Sequence, residues 1–219
     1  MKESIVYLCH KVKQMTTNNL AQQKSIETSF YKIFHATTGL KVIIAFSVVL
    51  LLFIVTHIIK FPGSVGYLND LTGGLKTLDL QASFSSMETY QRLEAFGAYG
   101  RQMYLRTMLT VDLIFPLSMF IFLFLFSKYS SRLSKLSPVL SNVLSSLAIT
   151  YVAFDFLENL TIFILLLRFP DRLEFMASHI GYLTAVKRIT MAGGIFLPLI
   201  LVLIKKLSLF IKPKLSKIG

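Results

Sequence analysis

The chain has 219 residues, of which 54% are hydrophobic and only 16% charged, and its formal net charge is +12. Soluble domains average about 25% charged residues, so an ordinary cytosolic enzyme is excluded, and a chain this rich in Phe, Leu and Ile can bury too much apolar surface to be disordered. Cys9 is the only cysteine, so no disulfide can form within the chain.

Residues 1–40 are polar and basic and read as a cytoplasmic segment. Four apolar runs follow, each close to the ~20 residues that cross a hydrocarbon core of about 30 Å. The first, 42–59, lies between Lys41 and Lys60 and contains Ser47, Thr56 and His57 as its only polar members. Its long polar lead and the following Phe61-Pro62-Gly63 argue for an uncleaved anchor rather than a signal peptide. An outer connection, 60–104, comes next. Its second half has helical spacing, with Met87, Tyr90, Leu93, Phe96 and Gly97 on one face, and is expected to lie on the membrane surface or run directly into the second span.

The second span, 105–127, has an apolar run from Thr107 to Ser127, between Arg106 and Lys128, that contains one charge, Asp112, and Pro116 lies inside it. The proline frees a backbone carbonyl, which membrane helices tolerate when a neighbour satisfies it. The third span, 138–167, holds Asp155 and Glu158. The fourth, 181–204, carries Lys187 and Arg188 near its start and Pro198 further on. The basic tail 205–219 completes the chain. The expected fold is therefore all-α: a polytopic four-helix membrane bundle over 41–204.

Lys and Arg set the topology. Lys2, Lys11, Lys13, Lys24, Lys32 and Lys41 precede the first span, and Lys128, Arg132 and Lys135 lie between the second and third. Lys205, Lys206, Lys212, Lys214 and Lys217 follow the fourth. These three regions share one side of a four-span protein and hold well over half of the 23 basic residues. The positive-inside rule then places both termini in the cytoplasm, with the plasma (inner) membrane as the expected location. The basic excess thus marks topology and not nucleic-acid binding.

The charges inside the spans carry the chemical signal. Tyr151, Asp155, Glu158 and Asn159 share one helical face. Glu94, Gly97, Arg101, Tyr104, Met108 and Asp112 are likewise spaced by three or four and form one stripe. A charge at the bilayer centre costs about 2.5–3.5 kcal/mol on insertion scales, so two carboxylates one turn apart need a cation or a proton. Lys187, Arg188 and Arg101 are the candidate partners. At 1.5 Å per residue, Asp112 lies about 10 Å from the outer end, Glu158 about 15 Å and Asp155 about 20 Å, with Lys187 and Arg188 about 10–12 Å down. These groups should converge in the outer half of the bundle around an outward-opening polar cavity. His57 and His179 fall near the outer surface. The Glu-x-x-His repeats of di-metal bundles are missing, so no metal ligands are assigned.

The pattern Gly100-Arg101-x-x-Tyr104, Asp112-x-x-Phe115-Pro116 and Asp155-x-x-Glu158-Asn159 resembles one found in small four-span membrane proteins without an assigned activity. It covers residues 78–187 and implies no reaction or cofactor. A likeness to vitamin K epoxide reductases is excluded, because the required cysteine pair is absent.

Three functions follow as alternatives. The polar groups can be structural, in a scaffold or partner-binding protein. They can serve a membrane enzyme acting on a lipid or other amphiphile, with Asp155 or Glu158 as acid or base, Arg101 holding an anionic group, and Tyr104, Asp112, Tyr151, Asn159, Lys187 and Arg188 completing the site. Or they can titrate in a small transporter, which with four spans would need to form a homo-oligomer.

Overall fold

The structure, a computed structural model, describes residues 37–215, with side chains through Ser208. The expected cytoplasmic segment, apart from its last four residues, and the end of the basic tail lie outside the described residues, as does Cys9. The compact unit that begins at Gly39 is all-α, with no strand among the described residues. Its helices are α1 (Gly39–Phe53), which continues as a π-turn over Ile54–Ile58, α2 (Val65–Leu71), α3 (Ser86–Ala95), α4 (Gly97–Leu133), α5 (Pro138–Arg168) and α6 (Glu174–Leu215). Four stretches are long and apolar enough to cross a membrane: Gly39–Ile58, Gly97–Leu133, Pro138–Arg168 and Glu174–Ser208. That is the make-up of an integral membrane protein.

Helix starts follow local chemistry. Ser137 caps α5 by accepting from the Leu140 N–H at 3.3 Å, with Pro138 in the first turn, where its missing N–H is no loss. Ser64 accepts from the Tyr67 N–H at 3.1 Å at the start of α2. Ser85 does the same for the Glu88 N–H at 3.1 Å at the start of α3. The continuous helix expected up to Tyr104 is interrupted. Gly97 takes a φ of +64°, a left-handed conformation that is cheap only for glycine, so α3 ends and α4 sets off in a new direction. Glu94 is therefore exposed and off the Arg101–Asp112 stripe. Met87 is 64% exposed, while Tyr90, Leu93 and Phe96 are buried.

α4 packs on α1, α5 and α6, and α5 packs along α6. Two apolar clusters lie at different levels of these helices. One joins Leu68, Leu78, Tyr90, Leu93, Phe96, Met103 and Tyr104 to Ile162, Leu165, Leu166, Ala177 and Ile180. It fastens the segment after α1 to the junction of α5 and α6. Burying a leucine side chain from water contributes about 1.5–3 kcal/mol, and Leu78 and Leu93 are completely enclosed. The other cluster joins Val42 and Val49 of α1 to Phe122, Leu123, Ala148 and Tyr151. Apolar packing gains little over contact with lipid tails, so helices in a bilayer rely on close packing and hydrogen bonds. The polar residues of α4, α5 and α6 occupy the level between the two clusters.

The irregular stretch 75–85 is held by side chains from α3, α4 and α6. Arg188 Nη2 donates to the carbonyls of Asp79 at 2.9 Å and Leu80 at 2.6 Å. Arg92 Nη1 donates to the Gln81 carbonyl at 2.5 Å. The Leu78 N–H donates to the Tyr104 hydroxyl at 3.0 Å. The strap also touches Gly181, where a Cβ would collide with the Ser83 carbonyl and with the Phe84 ring at 2.7 Å. Gly181→Ala is expected to destabilise the protein by about 1–3 kcal/mol, the cost of overpacking, and to speed hydrogen exchange of the Leu78 amide. Unchanged stability and exchange would mean that the strap is not seated there.

Candidate functional site

The site begins with a proline. Pro116 has no N–H to give to the carbonyl one turn earlier, which belongs to Asp112. Asn159 of α5 supplies the missing donor: its Nδ2 reaches the Asp112 carbonyl at 2.9 Å. The same amide nitrogen donates to Asp155 Oδ2 at 2.9 Å. Lys187 Nζ of α6 lies 3.2 Å from Asp155 Oδ1 and also forms an ion pair with Glu158. Thr184, one turn before Lys187, donates its hydroxyl to Glu158. One chain of interactions therefore links α4, α5 and α6. Glu158 is fully buried and Asp155 is 5% exposed.

Beside this chain is a cavity of about 310 Å³. Phe53 and His57 line it from α1 and its π-turn, and Asp112, Phe115, Pro116 and Met119 from α4. Tyr151, Asp155 and Asn159 come from α5, Lys187, Arg188 and Met191 from α6, and Asp79 and Leu80 from the strap. The π-turn contributes directly, since π-insertions re-aim side chains and are frequent at functional sites. His57 Nδ1 lies 2.7 Å from the Thr56 hydroxyl, and its ring stacks on Phe53 with centroids 4.6 Å apart.

Of the residues singled out by the sequence, the structure brings Asp112, Tyr151, Asp155, Asn159, Lys187 and Arg188 to one cavity. Glu158 belongs to the network but is absent from the cavity wall, because Lys187 and Thr184 cover its carboxylate. Arg101 is elsewhere. Its Nη1 donates to the Leu93 carbonyl at 2.9 Å, and its guanidinium sits 3.9 Å from the centre of the Phe169 ring. It therefore neither pairs with the intramembrane carboxylates nor stands ready to hold an anion. Tyr104 is buried off the cavity, its hydroxyl donating to Asp79 Oδ1 at 3.1 Å. His179 is exposed on α6, with Nδ1 2.7 Å from the Phe175 carbonyl of its own helix. Among the described residues, no group of three or more His, Cys, Asp and Glu is placed to hold a metal ion.

Two polar contributors, Thr184 and Asp79, escaped the sequence reading, as did the apolar wall residues Phe53, Leu80, Met119 and Met191. Thr184 lies three residues before Lys187, on the same face of α6, so helical spacing alone could have found it. Asp79 sits in an irregular loop as Leu78-Asp79-Leu80, and nothing in that triplet shows that the strap carries it down to the cavity.

No family model, curated protein or solved structure matches the chain.

Proposed function

We propose that the protein is a multi-pass membrane protein, a four-helix bundle with both termini in the cytoplasm, whose intramembrane cavity binds the polar end of an amphiphile. The carrying observation is the placement of a cavity with both charged and aromatic walls beside a buried network that links three of the long helices. Ligand sites combine an apolar lining with a few convergent polar groups, and about 300 Å³ is the lower end of their usual size. Lys187 engages both Asp155 and Glu158, which favours a structural role for that triad, a scaffold for the cavity. Acid–base chemistry on a bound amphiphile, the alternative reading, would rest on Asp112 and Asp155, the span carboxylates on the cavity wall.

The basic residues flanking the spans support the orientation. In a Cys9→Ser background, Lys76→Cys should react with an impermeant maleimide on intact cells, and Lys135→Cys only after permeabilisation; the reverse pattern would invert the topology. The binding reading is tested by purifying the wild type and Met119→Trp, whose larger side chain fills the cavity, and comparing extracted lipids by mass spectrometry. A specific amphiphile should accompany the wild type and be depleted in the variant. Identical extracts would remove the cavity from the function. An untargeted lipid and metabolite comparison of deletion and parent cells should show the same molecule changing.

A further inference from the structure

The balance of charge around the cavity restricts what it can hold. Asp79, Asp112 and Asp155 face it, and Glu158 lies just behind Lys187. Against these four carboxylates, the described residues of the site supply two cations, Lys187 and Arg188. Lys187 is shared between Asp155 and Glu158. Arg188 spends Nη2 on the Asp79 and Leu80 carbonyls. Asp112 has no ion pair or side-chain hydrogen bond among the described residues, its contact with Asn159 being made by the backbone carbonyl. A surplus of negative charge at this depth is costly unless a proton or an external cation offsets it.

The remaining walls suit a cation. Phe53, Phe115 and Tyr151 line the cavity with aromatic rings, whose faces attract an ammonium group most strongly where water is excluded. The route in is lateral. α1 packs against α4 but not along α6, although both helices line the cavity. That leaves a seam between α1 and α6 beside the cavity, and α1 with its π-turn carries exposed apolar side chains, among them Leu50, Leu51 and Ile54. An apolar chain can lie in that seam while its head occupies the cavity.

We infer that the ligand is a cationic amphiphile, an ammonium group on an apolar chain, with its head between Asp112 and the aromatic wall and its tail between α1 and α6. This rests on the amphiphile-binding reading and adds the sign of the head. The test is calorimetric titration of the full chain in maltoside micelles with octylammonium, octanol and ethylammonium, each corrected for partitioning into empty micelles. Octylammonium should bind saturably and roughly tenfold or more tighter than octanol, the difference expected for a charge-assisted contact, and also tighter than ethylammonium, which keeps the charge but lacks most of the apolar tail. Asp112→Asn should abolish that preference, whereas Glu94→Gln, at an exposed position, should keep it.

Equal saturable binding of octanol and octylammonium would overturn the cationic assignment while leaving an amphiphile site. Equal binding of ethylammonium and octylammonium would remove the tail from recognition. No saturable binding of any probe would overturn both readings. If Asp112→Asn does not fold, the three wild-type titrations decide the matter alone.

Discussion

Lys187→Met is expected to destabilise the protein by about 3–5 kcal/mol, the loss typical when one partner of a buried ion pair is removed and its counter-charges remain. Lys187 is the only cation bonded to Asp155 and Glu158 among the described residues. Methionine keeps the length of the side chain but leaves two carboxylates facing each other away from water. The control is the triple variant Lys187→Met, Asp155→Asn, Glu158→Gln, in which neither acid can ionise. Replacing a buried ionic group by neutral groups of similar shape is often tolerated, so most of the lost stability should return. Thermal unfolding of the purified protein in detergent reads both. A single variant as stable as the wild type would show that the triad does not hold α5 to α6.

The second large effect concerns Asn159. Asn159→Ala removes the donor to the Asp112 carbonyl and the donor to Asp155, leaving a buried carbonyl unsatisfied at a cost of about 1–3 kcal/mol. Because that carbonyl is free only on account of Pro116, Pro116→Ala should compensate by restoring an N–H within α4. In the double-mutant cycle, Asn159→Ala should therefore be milder in the Pro116→Ala background by about 1 kcal/mol, a coupling expected of residues that share a partner. Strictly additive unfolding free energies would disconnect the proline from the asparagine.

The expectation that a neighbour must satisfy the carbonyl freed by Pro116 needed only the sequence. That the neighbour is Asn159 did not follow, since nothing in a single chain of letters says which face of α5 meets α4. The same division runs through the molecule. The apolar runs were legible because the width of a bilayer sets their length: residues 138–167 were expected, and Pro138–Arg168 is helical. The fourth run is expected to start near 181 with Lys187 and Arg188 already inside it, because its charge-free part alone is short for a span. α6 begins earlier still, at Glu174, and partners on α5 and the strap engage both cations.

Convergence of Asp112, Asp155 and Lys187 was also legible, because helical rise fixes depth. Arg101 was misdirected by the same logic. Three- and four-residue spacing gave it a stripe with Asp112, but a long side chain chooses its partner by reach, and the Leu93 carbonyl and the Phe169 ring lie within it. The turn at Gly97 shows another limit. A glycine within a helical pattern reads the same whether it continues the helix or adopts positive φ, and packing decides which.

The division of the buried triad between two helices also bears on how the chain is made. α5 carries both acids and α6 their cation, and synthesis delivers α5 first. Until α6 follows, Asp155 and Glu158 must remain protonated or in water, which opposes the release of α5 alone into lipid. The short connection between Arg168 and Glu174 lets the two helices leave the insertion machinery as a hairpin, with their charges already joined. On the proposed topology, the order of synthesis and the location of the charge predict that α5 and α6 insert as one unit, although each is long and apolar enough to cross a membrane by itself.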